Sequence, residues 1–176
     1  MLAGRFGRYN EEHLIPLAAA IEIMHMATLV HDDIIDESDM RRGRPTTRSR
    51  WGNEVAVFTG DFLFTRAFSL VTQTISQKNM YYLSNAIKAI CEGEVDQFEL
   101  RYSGEVSIRQ YLKRISKKTA VLFALSCQAG AREARCRREI IRHLRKFGQD
   151  FGMAFQITDD ILDFTGNLNE VGKPLC

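Results

Sequence analysis

The sequence predicts an all-α chain, and three observations carry that prediction. Proline occurs only three times in 176 residues, too few to interrupt long helices. Alternating β-branched runs bounded by Asn-Gly turns, the mark of hairpin strands, are missing. Long apolar stretches instead space their polar residues three, four and seven positions apart, the period of a helix. With 45% hydrophobic residues, a chain of this size builds a sizeable core and reads as a single domain over residues 1–176, without repeats, linkers or disorder.

The first helix is expected to start between Asn10, an N-cap followed by Glu11 and Glu12, and Pro16, which suits a first turn. It continues through residues 18–37, where Glu22, His25, Asp32 and Asp36 form one polar stripe on an apolar rod. Such a stripe needs a polar cavity or a ligand. Residues 37–50 are charged and broken by Gly43 and Pro45, which marks a loop. Asn53 caps a second helix over 56–71, and a third covers 80–101 with Ala86, Ile87, Ile90, Glu94 and Gln97 along one side. Ser107 opens a fourth helix that runs to residue 131. The last spans 137–164, ahead of a Gly-containing tail.

Charge narrows the function classes. The 24 Lys and Arg against 22 Asp and Glu leave a formal charge of +2, too balanced for a nucleic-acid binder. The basic run over 132–146 holds seven Lys or Arg and two Glu, a solvated helix face or at most a peripheral contact with anionic lipid. The longest uninterrupted apolar run, residues 14–21, falls short of the roughly 18 needed to cross a bilayer, so no membrane span is expected. Cys91, Cys127, Cys136 and Cys176 form no CxxC pair, which reads as reduced thiols of a cytoplasmic protein without structural zinc. The first residues lack the h-region of a signal peptide.

Two copies of one pattern carry the chemistry: Asp32-Asp33-Ile34-Ile35-Asp36 and Asp159-Asp160-Ile161-Leu162-Asp163. With ten Asp in the chain, shuffling would produce DDxxD only about 0.03 times, so two copies are not a coincidence. In a helix each motif presents a fan of three carboxylates. Like charges this close repel unless cations sit between them. Oxygen-only ligands favour a hard ion such as Mg²⁺, which shares its remaining positions with water and phosphate oxygens. Glu22 and His25 also form an ExxH pair of the di-iron bundle type, but no second ExxH accompanies it.

With these motifs in view, the sequence resembles the trans-type polyprenyl diphosphate synthases, in particular the bacterial long-chain members that make quinone side chains. The resemblance rests on IEIMHMATLVHDDIIDESDMRRGRPT, on FQITDDILDF followed by GKP, and on TGDFLF, GEVDQ and KKTA between them, in the family's order. It implies the isoprenoid synthase fold: mostly antiparallel helices around a deep central cavity, with the two Asp motifs facing each other near its mouth. It implies that isopentenyl diphosphate is condensed with an allylic diphosphate, with about three Mg²⁺ ions held by Asp32, Asp33 and Asp36 and by Asp159, Asp160 and Asp163. Arg41 is similar to the family's contact to the allylic diphosphate, Arg42 and His25 to its isopentenyl diphosphate contacts, and Lys118, Thr119, Gln156 and Lys173 to residues that close over the allylic diphosphate. Met24, Ala27 and Thr28, one and two turns before Asp32, match the positions that set product length; small Ala27 and Thr28 imply an open first layer and a long product.

The family's upstream Gly-Lys and Arg-Pro element is missing, and the chain stops just after GKP. It is therefore expected to be the catalytic middle of a longer synthase, incomplete at both ends. A homodimer is implied, or a heterodimer with a small regulatory subunit. Two other readings stand beside it, a terpene cyclase and a non-catalytic subunit of a heteromeric synthase. The second intact DDxxD weighs against both. His31, Trp51 and Asp61 read as packing residues.

Overall fold

A computed structural model describes residues 1–72, 75–100 and 107–165, with the side chains of 99, 100 and 164 left aside. The chain is almost wholly helical, as expected: a 3₁₀ turn over Leu2–Phe6, then α1 (Glu11–Ile35), a two-strand hairpin of β1 (Met40–Arg41) and β2 (Arg44–Pro45), α2 (Thr47–Trp51) and α3 (Asn53–Thr72). Next come α4 (Gln77–Leu100), α5 (Ile108–Ile115), a π-helical turn over Ser116–Ala120, α6 (Val121–Glu133) and α7 (Arg138–Thr165). These elements fall into two compact units. One comprises Met1–Ala18 and Thr74–Ile157, the other Ala19–Gln73 and Thr158–Cys176.

Local chemistry explains where the helices begin. Asn10 Oδ1 accepts the Glu12 N–H at 2.9 Å, so the cap is where the sequence places it. Pro16 then lies inside α1 and not in its first turn, because the Asn10 cap starts the helix a turn earlier. Ser107 and Gln110 form a reciprocal capping box at the head of α5, in which the Gln110 side chain accepts the Ser107 N–H at 2.9 Å. Asn53 is the first residue of α3 and not its cap; the Gly52 carbonyl opens that helix by accepting the Ala56 N–H at 3.2 Å.

Two expectations need correction. The fourth helix is not one regular rod, since a π turn separates α5 from α6. Within the first unit α7 backs onto this turn: a Cβ on Gly152 would stand 2.6 Å from Ala120 Cα, and one on Gly148 only 2.5 Å from the Phe123 carbonyl oxygen. Only glycine permits that approach, and Gln149 then donates to Ser116 Oγ at 2.9 Å. Membrane crossing is the other. By length and composition α1 and α3 both reach the threshold for a span, which uninterrupted runs missed because scattered polar residues break them. Only 33% of the α1 window and 22% of the α3 window are buried, and length and composition alone do not make either a span.

Side chains also join α4 to α6. Glu133, the last residue of α6, accepts the Ser76 N–H at 3.2 Å just ahead of α4 and the amide of Asn79. Asn79 is almost fully buried. Beyond Glu133 the helix closes in a Schellman motif, with Cys136 N–H on the Ala131 carbonyl at 3.0 Å and Arg135 at φ 54° in the left-handed seat. Glu133→Ala strands the buried Asn79 amide and removes an anion from a helix N-terminus, so it should cost about 1–3 kcal/mol of unfolding free energy in urea. An unchanged urea midpoint would show that water replaces the carboxylate.

Candidate active site

Both Asp motifs stand where a helix least favours negative charge. Asp32 and Asp33 end α1, with Asp36 one residue beyond it, and Asp159, Asp160 and Asp163 occupy the last two turns of α7. The helix dipole puts partial negative charge at that end, and neither helix carries a basic residue in its last turn. Charge in that position is offset where a cation lies close by.

The segment after α1 supplies one. Glu37 takes the left-handed seat at φ 51°, Ser38 N–H returns to the Asp33 carbonyl at 2.9 Å, and Glu37 N–H bonds Ile34 O at 3.3 Å, a Schellman closure without glycine. The chain then reverses, with Met40 paired to Pro45 and Arg41 to Arg44. Arg42 and Gly43 form the two-residue tip at φ 50° and 74°, the signature of a primed turn. This register brings Arg41 back over the motif: its Nε and Nη2 both lie 2.8 Å from Oδ1 of the buried Asp33. The tandem arginines therefore divide, Arg41 engaged with Asp33 and Arg42 held out at an exposed tip.

What reads in sequence as a loop over 37–50 is tightly bonded. Buried Thr46 donates to the Ser38 carbonyl at 2.8 Å and accepts the Ser49 N–H at 3.1 Å, capping α2. Arg48 Nη1 reaches the Glu37 carbonyl and Asp39 Oδ1, each at 2.8 Å. On the other side of the motif, a Cβ on Gly60 would stand 2.2 Å from His31 Nε2. Glycine there lets the His31 ring lie on α3, 3.3 Å from the Val57 carbonyl oxygen and 3.4 Å from Asp61. His31 and Asp61 are thus packing partners, as the sequence suggested; Trp51 stays exposed.

His25 lies two turns before Asp32. Burial pushes its pKa below the ordinary 6.5; Glu22 opposes the shift, and the charges of Arg42 and Arg41 add to it. The neutral ring is favoured, able both to donate and to accept. Of the chain-length positions, Met24 and Ala27 are fully enclosed among the described residues, where small Ala27 implied an open layer. Thr28 turns its hydroxyl back onto the His25 carbonyl at 2.8 Å.

A second group of expected residues meets in the first unit. Thr119 Oγ1 donates to Gln156 Oε1 at 2.6 Å, and Lys118 Nζ lies 2.9 Å from Glu94 Oε1. Lys173 lies outside the described residues. The sequence assigns Glu94 no chemical role; its signals there are a place in GEVDQ and on one side of the third helix.

Among the described residues no three His, Cys, Asp or Glu side chains stand close enough to hold a metal ion. The donor set still suits Mg²⁺, which takes one or two carboxylates and completes its octahedron with water and substrate phosphate. A cleft of ≈ 370 Å³ lined by Lys88, Cys91, Glu92, Val95, Asp96 and Lys117 includes none of the expected residues. Its lining charges pair with one another.

Comparison with known proteins agrees with the motifs. The family model described as Polyprenyl synthetase matches residues 1–176. The chain is 46% identical over 174 residues to heptaprenyl diphosphate synthase component 2 of Geobacillus stearothermophilus, covering 99% of this chain and 54% of that protein. Its fold matches the heptaprenyl diphosphate synthase of Staphylococcus aureus at a TM-score of 0.94 and 38% identity, over 99% of this chain and 55% of that one. It also matches a polyprenyl synthase of Caulobacter crescentus complexed with calcium and isoprenyl diphosphate, at 0.94 and 41%, over 98% and 53%. The chain spans about half the length of the curated relatives it matches.

Two outcomes are expected. Arg42→Asn places a residue tolerant of positive φ before Gly43 and should raise unfolding free energy by about 0.5–1 kcal/mol; equal stability would mean the turn carries no strain. For His25 the folded pKa lies below 6.5, so on acidification the unfolded chain binds the proton first. Its stabilising contribution is complete above pH 6.5 and is lost as pH falls from there toward the folded value. His25→Gln should therefore flatten the loss of stability measured from about pH 7 to about pH 5. An identical pH profile would assign that loss to other groups.

Proposed function

The chain belongs to the polyprenyl synthetase family, and from that premise we propose that it elongates prenyl diphosphates, condensing isopentenyl diphosphate with an allylic diphosphate in a Mg²⁺-dependent reaction. The observation that carries this reading is the pair of DDxxD motifs, each at the C-terminal end of a long helix, where the helix dipole disfavours negative charge and nearby cations offset it. Asp32, Asp33 and Asp36 on α1 and Asp159, Asp160 and Asp163 on α7 would hold the magnesium ions, which supply neutralisation of the charge on a departing diphosphate.

The chain's own residues do the rest. Guanidinium forks suit phosphate oxygens; Arg41, poised on Asp33, serves the allylic diphosphate, and Arg42 at the hairpin tip serves isopentenyl diphosphate. Neutral His25 adds a hydrogen bond to the latter. Lys118, with the Thr119–Gln156 pair beside it, contacts the allylic diphosphate. The allylic C–O bond breaks with its electron pair going to diphosphate, and the isopentenyl double bond attacks the carbon left behind. The proton lost in forming the new double bond leaves on the departing diphosphate. The names of the heptaprenyl relatives support a long product, of the kind used for quinone side chains.

We further propose a dimer. Val55, Phe58 and Phe62 of α3 stand exposed at spacings of three and four, the stripe of a helix–helix seam, and this favours a second copy. The designation "component 2" of one relative supports a second reading, in which a different subunit takes that place.

The decisive experiment incubates the full-length protein with labelled isopentenyl diphosphate, an allylic diphosphate and Mg²⁺, and sizes the product. Turnover should vanish in EDTA. Asp32→Ala and Asp159→Ala should each lower turnover at least about 10²-fold, as loss of a transition-state electrostatic contact does. Near-wild-type rates in both variants would overturn the assignment of the motifs as metal ligands.

A further inference from the structure

Adjacent Lys117 and Lys118 look interchangeable in sequence, and the structure separates them. Gly93 of α4 is the contact point: a Cβ there would stand 3.0 Å from Lys117 Cβ and 3.5 Å from Lys118 N, so the π turn rests directly on the α4 backbone. From that saddle the two side chains run to different carboxylates. Lys117 reaches Asp96 at 2.9 Å and Glu92 at 3.7 Å, one turn apart on one face of α4. Lys118 reaches Glu94 at 2.9 Å, about 200° round the helix from Glu92.

The Lys117 side is structural. Asp96 also takes Lys113 at 3.6 Å, so three groups already tie α4 to α5 and the π turn. The Lys117 hydrogen bond holds the Asp96 carboxyl below its usual range and raises the Lys117 ammonium in return. Glu94 meets the same turn through Lys118 from another side of α4. Its side chain is only 14% exposed, against 50% for Glu92 and 37% for Asp96. Enclosing a carboxylate is unfavourable unless its charge is paired.

We propose that Glu94 is a positioning residue for Lys118, holding its ammonium where the allylic diphosphate's developing charge will lie, while Lys117 serves only to attach the π turn. This rests on the reading of Lys118 as a diphosphate contact. An ammonium carries three N–H donors, so pairing with one carboxylate and contacting a phosphate oxygen are compatible. Such an anchor has an unusual cost: a fixed negative charge beside an anion site repels the ground-state ligand. It helps only by removing the search for the right orientation as charge develops.

That trade sets the test, made on the full-length protein with turnover, calorimetric binding of inorganic diphosphate with Mg²⁺, and Tm measured together. Glu94→Gln keeps shape and an acceptor but loses the charge. It should lower kcat about tenfold or more, the order of a close charge pair's contribution, while diphosphate binds as tightly as to wild type or tighter. Lys118→Ala should weaken diphosphate binding, and Lys117→Ala should leave kcat unchanged and lower Tm. If Glu94→Gln also lowers Tm, Glu94→Asp, which keeps the charge, should recover most of the lost kcat.

Wild-type kcat in Glu94→Gln, with the wild-type protein active, overturns this assignment alone. So does a parallel loss of diphosphate affinity and Tm without rescue by Glu94→Asp, or a Lys117→Ala effect on kcat equal to that of Lys118→Ala. A wild-type protein that transfers no prenyl group overturns the proposed function, and this assignment with it.

Discussion

Repulsion among carboxylates at helix C-termini is the constraint on which the bonded segment after α1 depends. Asp32, Asp33 and Asp36 meet the negative end of their own helix dipole at the close of α1, an arrangement that costs stability wherever no cation intervenes. The structure answers with local devices. The Glu37 closure ends the helix, the hairpin returns the chain within a few residues, and Arg41 places two donors on one Asp33 oxygen. Thr46 and Arg48 then fasten the returning strand. A helix built for stability alone would end in lysine and glycine.

Glycine performs the complementary task. Gly60 admits the His31 ring to α3, while Gly93, Gly148 and Gly152 bring helix backbones against α4, Ala120 and Phe123. In each case a missing side chain sets how closely two elements approach, and that separation aims a polar group nearby. The π turn lies among such approaches, with α4 and α7 pressed on it within one unit. A regular helix through residues 116–120 would direct Lys117, Lys118 and Thr119 elsewhere.

Much of this was legible in sequence where a signal is local. Asn10 and Ser107 cap helices because their side chains bond amides two or three residues on. The DDxxD repeats and the family motifs identified the aspartates. What escaped reading depends on contacts distant in sequence or on seats filled by unusual residues. Glu37, Arg42 and Arg135 all adopt positive φ, where glycine or asparagine would have announced the turn. The Arg41–Asp33 bond needs a hairpin too short for any strand pattern. Ala27 read as open space because its side chain is small, whereas small side chains as readily invite neighbours to close in.

The bonded segment from Asp33 to Ser49 bears on how such chains diverge. Exposed, charged and rich in turn residues, it has the look of a loop that absorbs insertions freely. Its length is nonetheless dictated three times over: by the Glu37 closure, by the two-residue tip that pairs Arg41 with Arg44, and by the reach of Thr46 to Ser38. One added residue between Asp36 and Arg41 would turn the arginine to the opposite face of its strand and away from Asp33. Among descendants of this chain, residues 38–46 are therefore free to drift in composition at exposed positions and are closed to gaps.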